Sequence, residues 1–209
     1  MTLLDGSLIR YFMPIRKVAA LRVFTVFAVF ALLTLSGCQQ LTKTFKPTES
    51  PYQRKDWPHW IDVDKNCRNT RQELLIVTSQ KPVQYKDTRQ CTVKAGKWIG
   101  PYTGKTLTKA SDVDIDHIVP LAHAHRHGAA NWTRAQRRTF ANDFENLLVV
   151  DDATNQAKSN KAPHEWLPPN KAFWCEYGQR WQRVKDKYRL FYSDPERNVL
   201  ERLSAYCLH

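Results

Sequence analysis

Asp116, His117, Asn146 and Asn155 are the residues of this chain whose types and order could do chemistry together. Asp116 and His117 close a strand-like run, Asn146 precedes a second apolar run, and Asn155 opens a helix-like stretch. A carboxylate and an amide oxygen, from Asp116 and Asn155, suit a hard divalent cation such as Mg²⁺ or Mn²⁺ and leave its other positions to water and phosphate. A neutral histidine between them, His117, can take the proton of an attacking water. Asn146 offers a second amide to fix the loop or the imidazole that presents this base. Together these groups can hydrolyse a phosphodiester. Alone, each has a plainer reading: a surface ion pair for Asp116-His117, a turn for Asn146, a helix cap for Asn155. Asp114 lies on the strand face of Asp116 by the period of two and is expected behind the metal or as an extra contact. With an ordinary histidine at 117, activity should fall below about pH 6–7.

The elements that must position these groups follow from hydrophobic periodicity. Residues 113–119 read as a strand, 147–150 as its partner and 154–159 as a short helix. Helices are expected at 70–79, 133–142, 172–190 and 195–206, and a hairpin over 90–98 turning at Ala95-Gly96. The result is an α+β chain. His123, His125 and His127 alternate by two, which would align them on a strand. Their stretch follows Pro120 and looks helical or loop-like, so they are expected to spread around the axis, mostly exposed, without a metal role. Seven tryptophans, Trp98, Trp132 and Trp166 among them, can supply core to a small exported domain.

Several blocks occur in order: PYTG at 101–104, DIDHIVPLA, GAANW, FANDFENLLVV, NQAKSNK and EWLPP. The chain thereby resembles the HNH endonucleases, also called ββα-metal or His-Me finger nucleases, and within them the subgroup related to the C-terminal domain of GmrSD-type restriction enzymes. The likeness spans roughly residues 98–170, with Cys175, Trp181 and the tail resembling the usual C-terminal extension. It implies a ββα-metal finger set among helices, with His117 as general base, Asn146 positioning it, and Asp116 and Asn155 as ligands of Mg²⁺ or another divalent metal. The third letter of the family name is Asn155 here rather than His, a replacement that suits magnesium.

The first 37 residues read as a signal peptide, with Arg16, Lys17 and Arg22 before an apolar run over 23–35. The run ends in LSGC, which resembles a bacterial lipobox with Cys38 as the lipidated residue. Met13 could serve as the start. Residues 38–56 read as a flexible tether, and 57–209 as one disulfide-stabilised domain. The implied location is the bacterial cell envelope: an exported protein attached to a membrane through Cys38, with the outer membrane favoured. Cys67, Cys91, Cys175 and Cys207 remain, an even number that allows three pairings. Cys67–Cys91 and Cys175–Cys207 are favoured because each brackets one flank of the core. No CxxC occurs, which argues against zinc on sulfur.

The chain carries +12 overall; residues 1–37 hold four basic and one acidic residue, so about +9 remains beyond them. Such charge favours DNA, RNA or an anionic membrane surface. Arg134, Arg137 and Arg138 are candidates for phosphate contact, as are Lys158 and Lys161, against the plainer role of solvated helix lysines. Arg180, Arg183, Lys185, Lys187 and Arg189 on the expected 172–190 helix read equally as a solvated face. No separate reading module is evident, so a non-specific nuclease of DNA, with RNA as the other substrate, is expected. No protein partner is implied. Two other classes compete: a catalytically inactive DNA-binding envelope lipoprotein, and an envelope structural protein whose charge meets anionic lipid or cell-wall polymer.

Overall fold

A computed structural model describes residues 50–208. The signal peptide, Cys38 and the tether through Glu49 lie outside them. Six helices and five strands follow in order: α1 (Thr70–Thr78), β1 (Gln84–Tyr85), β2 (Val93–Ile99), β3 (Thr106–Lys109), β4 (Val113–His117), α2 (Leu121–Arg126), α3 (Arg134–Ala141), β5 (Leu147–Asp151), α4 (Asp152–Lys158), α5 (Trp174–Lys187) and α6 (Asp194–Tyr206). Strands β1, β2 and β3 form an antiparallel sheet in that order, and among the described residues β4 pairs only with β5. The chain is therefore α+β, as its periodicity implies. No helix of the described residues is long and apolar enough to cross a membrane.

The β4–β5 hairpin sorts its side chains by face. Asp114 stands opposite Val150 and Asp116 opposite Leu148, while Val113, Ile115 and His117 stand opposite Asp151, Val149 and Leu147. Directly opposed residues share a face. Val113, Ile115, Leu147 and Val149 join a core with Leu74, Leu75, Val93 and Trp98. Leu148 and Val150 join another built on Trp57, Tyr102, Phe140, Tyr177 and Trp181. β5 is buried on both faces, which accounts for its unbroken apolar run. β4 alternates, and its acidic face is the one that α4 covers.

Local chemistry fixes the helix ends. The Asp151 side chain accepts from the Thr154 amide and caps α4 at Asp152, two residues before the expected start. Ser193 and Glu196 form a capping box on α6, as do Thr133 and Gln136 on α3. The disulfides join Cys67 to Cys91 and Cys175 to Cys207, the latter stapling α5 to α6.

Three expectations need correction. No hairpin turns at Ala95-Gly96; β2 runs through both. Gly96 answers a close approach, since a Cβ there would lie 2.7 Å from the Trp98 ring and from Ser79 Oγ. Residues 50–56, expected as tether, pack on the domain: Tyr52 lies edge-on to His125, and the Ser50 carbonyl meets His125 Nε2 at 2.7 Å. His123 and His125 are buried rather than exposed, and His123 stacks on His127 one helical turn later.

Candidate active site

Residues two apart on β4 meet residues three apart on α4. The strand spacing points Asp114 and Asp116 to one side, and one helical turn brings Asn155 and Lys158 over them. Asn155 Nδ2 donates to Asp114 Oδ2 at 3.0 Å, which leaves its amide oxygen free. Lys158 Nζ lies 2.8 Å from Asp116 Oδ2 and 3.1 Å from Oδ1, and donates to the His117 carbonyl at 2.9 Å. Tyr102 adds its hydroxyl to Asp116 Oδ2 at 2.6 Å. The PYTG turn delivers Tyr102: Gly104, with φ +72°, closes it by donating to the Gly100 carbonyl.

Asp116 is 5% exposed and Lys158 wholly buried. Burial pushes the Asp116 carboxyl up, against the Lys158 ammonium and the Tyr102 hydroxyl. Burial likewise lowers Lys158, opposed by Asp116. Each charge thus persists here because the other is present.

His117 leaves the strand on the opposite face. Its Nε2 meets the Ala141 carbonyl at 2.9 Å, and Trp60 stacks on the ring at 5.9 Å between centroids. A carbonyl can only accept, so Nε2 carries the proton and Nδ1 keeps its lone pair. Burial pushes the imidazole down to about 3. Burial thus favours a neutral ring through the range where an exposed histidine protonates, and this moves the expected acid limit below pH 6–7. Asn146 makes no hydrogen bond to the ring; it clamps Val119, accepting from its amide at 2.9 Å and donating to its carbonyl at 3.2 Å. Of its two expected roles, fixing the loop is the one observed.

A cavity of about 310 Å³ gathers Asp116, His117 and Asn155, walled further by Tyr52, Arg54 and Ser159. Asp114, Asp116 and Asn155 offer only oxygen donors, the chemistry of a hard divalent cation. The donor set fits such an ion, with Lys158 as the competing charge on Asp116.

The five cations expected at phosphate divide. Lys158 is an internal counter-ion. Arg137 donates to the Ala130 carbonyl and faces Asp56 and the Trp57 ring. Lys161 donates to the Ala157 carbonyl. Arg134 and Arg138 line a separate groove beside Pro58 and Lys187. On α5, Lys185 is buried against Glu196, and Arg180 Nη2 donates to the Glu145 and Leu147 carbonyls at 2.9 and 3.1 Å, buttressing the start of β5. Tyr102, within the PYTG block, and Arg54, which carries no signal in the sequence, join the site only through the fold.

His123, His127 and Glu196 place three donor atoms within 4.8 Å of one another. Lys185 Nζ already occupies this cluster, 2.6 Å from Glu196 Oε1 and 3.2 Å from His123 Nε2. Burial lowers His123 to about 4. Burial also pushes Glu196 up, but its partners outweigh this and hold it down at about 2.

Residues 65–194 match the family described as GmrSD restriction endonucleases, C-terminal domain. An "uncharacterized secreted protein" of the fungus Arthroderma benhamiae is 41% identical over 175 residues, covering 83% of this chain and 82% of its own. No solved structure matches significantly.

Proposed function

The chain belongs to the family of GmrSD restriction endonuclease C-terminal domains, and on that premise we propose that it is an exported, metal-dependent, non-specific endonuclease of DNA, with RNA as the other candidate substrate. One observation supports this reading: α4 lies across the acidic face of β4, so that Asp116, His117 and Asn155 line a single cavity. Asp116 and Asn155 would hold Mg²⁺ or Mn²⁺, with Asp114 beside them. When bound, the cation supplies positive charge to a phosphate whose negative charge grows during hydrolysis. His117 Nδ1 takes the proton of the attacking water. The Ala141 carbonyl fixes the ring through Nε2, and Asn146 holds the loop that follows.

Export is supported by the secreted relative and the two disulfides. Attachment through a lipid on Cys38 belongs to the same proposal. Cys38→Ser should release the protein from the membrane fraction, and unchanged membrane retention would refute the anchor.

Plasmid DNA incubated with and without Mg²⁺, beside the His117→Ala variant, tests the activity. Metal-dependent cutting should fall at least about 100-fold in the variant, the scale of a lost general base. Full activity in His117→Ala would overturn the assignment. One observation favours the inactive binding lipoprotein: the Lys158 ammonium already neutralises Asp116. DNA retention without cutting, across several divalent metals, would select that reading.

A further inference from the structure

We propose that Arg54 binds a phosphate of the substrate, presented by an N-terminal strap that precedes the family-matched region. The inference rests on the nuclease reading and adds a substrate-binding residue to it. Arg54 is the one Lys or Arg in the lining of the cavity that holds Asp116, His117 and Asn155. It is exposed and, among the described residues, makes no salt bridge, whereas Arg137, Arg180 and Arg183 each do. The Asp116 charge is balanced internally by Lys158. The uncompensated charge facing the cavity is therefore a guanidinium, and the ligand that answers it is an anion.

The strap holds the backbone of Arg54 in place. Upstream, the Ser50 carbonyl meets His125 Nε2 and the Tyr52 ring packs on His125 and Trp57. Downstream, Trp57 is 1% exposed within the core, and its amide donates to the Arg54 carbonyl at 3.1 Å, closing a 3-10 turn over Arg54–Asp56. Asp56 faces Arg137 at 3.9 Å. A backbone pinned on both sides presents a long side chain over the cavity without ordering a free tail on binding. A planar guanidinium can fork two non-bridging phosphate oxygens, which an ammonium cannot.

The test uses the exported, disulfide-bonded protein and a short labelled DNA duplex with Mg²⁺. Cleavage is measured for wild type, Arg54→Ala, Arg54→Gln and Arg54→Lys. Binding is measured on a His117→Ala background over a series of salt concentrations. Arg54→Ala and Arg54→Gln should raise KM and the background Kd about tenfold, the loss of one charged hydrogen-bonded contact, with a smaller change in kcat. The slope of log affinity against log salt should shrink by about one, and Arg54→Lys should recover part of both. Unchanged KM, Kd and slope in Arg54→Ala would overturn the proposal, as would a loss confined to kcat. A wild-type protein that neither cuts nor binds the duplex would fail the nuclease reading itself.

Discussion

Among the described residues two lysines are wholly buried, each against a buried carboxylate, and their surroundings differ in one respect. Lys185 meets Glu196 where α5 packs on α6, and Glu196 also accepts from Trp181 Nε1 and from the Ser193 amide. Every donor to Glu196 there belongs to the helix pair, and the neighbouring His123 Nε2 accepts from Lys185 Nζ. Lys158 meets Asp116 at the wall of a cavity shared with Asn155, His117 and Arg54. The first pair is enclosed and fully answered, and its role is to define how two helices dock. The second has an open side, where a cation and an anion can enter. Burial of an ion pair therefore does not identify a site; what its unpaired side faces does.

The sharpest way to break this comparison is to delete each ammonium in turn. Lys185→Met leaves the Glu196 charge buried without its partner, at a cost of about 3–5 kcal/mol. Its melting temperature should fall by roughly 10 °C, while cleavage per folded molecule stays at the wild-type level. Lys158→Met should lose comparable stability and also change cleavage and Mg²⁺ affinity, as read by calorimetry. Equal cleavage by the two folded variants would abolish the distinction. Next in size, Cys175→Ser combined with Cys207→Ser should cost about 3 kcal/mol through loop closure. A denaturant titration should show the lower midpoint, with specific activity kept at 25 °C.

Acid should loosen the enclosed pair in two steps. His123 is held down to about 4, so the unfolded chain takes up that proton first, and stability declines as pH falls from about 6.5. Glu196 is held at about 2, so its contribution, complete above the ordinary carboxylate range, is lost as pH falls through that range toward 2. Melting temperature against pH should show both steps, and His123→Gln should shrink the upper one, leaving the part due to His117 and His127, whose imidazoles burial also lowers. The smallest effect belongs to Tyr102→Phe. Removing one hydroxyl from Asp116 should cost about 1–2 kcal/mol and leave cutting measurable, since Lys158 still holds the carboxylate. Loss of all cutting would make Tyr102 part of the chemistry.

Local order was legible in the sequence. The strand ending at His117, its apolar partner and the helix beyond follow from periodicity and appear as β4, β5 and α4. The disulfide pairing follows from how the cysteines bracket the core. What stayed hidden is what a side chain meets across the fold. Lys158 is three residues after Asn155, but nothing local says that it turns inward onto Asp116. Gly96 resembles a turn residue because its real constraint, the Trp98 ring, is set by tertiary packing. The strap over 50–57 resembles a tether because its apolar anchors, Tyr52 and Trp57, follow no period. His125, which receives it, lies 75 residues from Ser50.

The Arg180 contacts also order events in time. A chain threaded outward from its N-terminus delivers β4, β5 and α4 before the helix whose guanidinium holds the β5 entry. Cys175 further ties that helix to the end of α6, a bond that forms in an oxidising compartment. The β4–β5 ribbon thus takes its last support from a helix that comes later in the chain and is tied down by a disulfide, a bond typical of exported proteins.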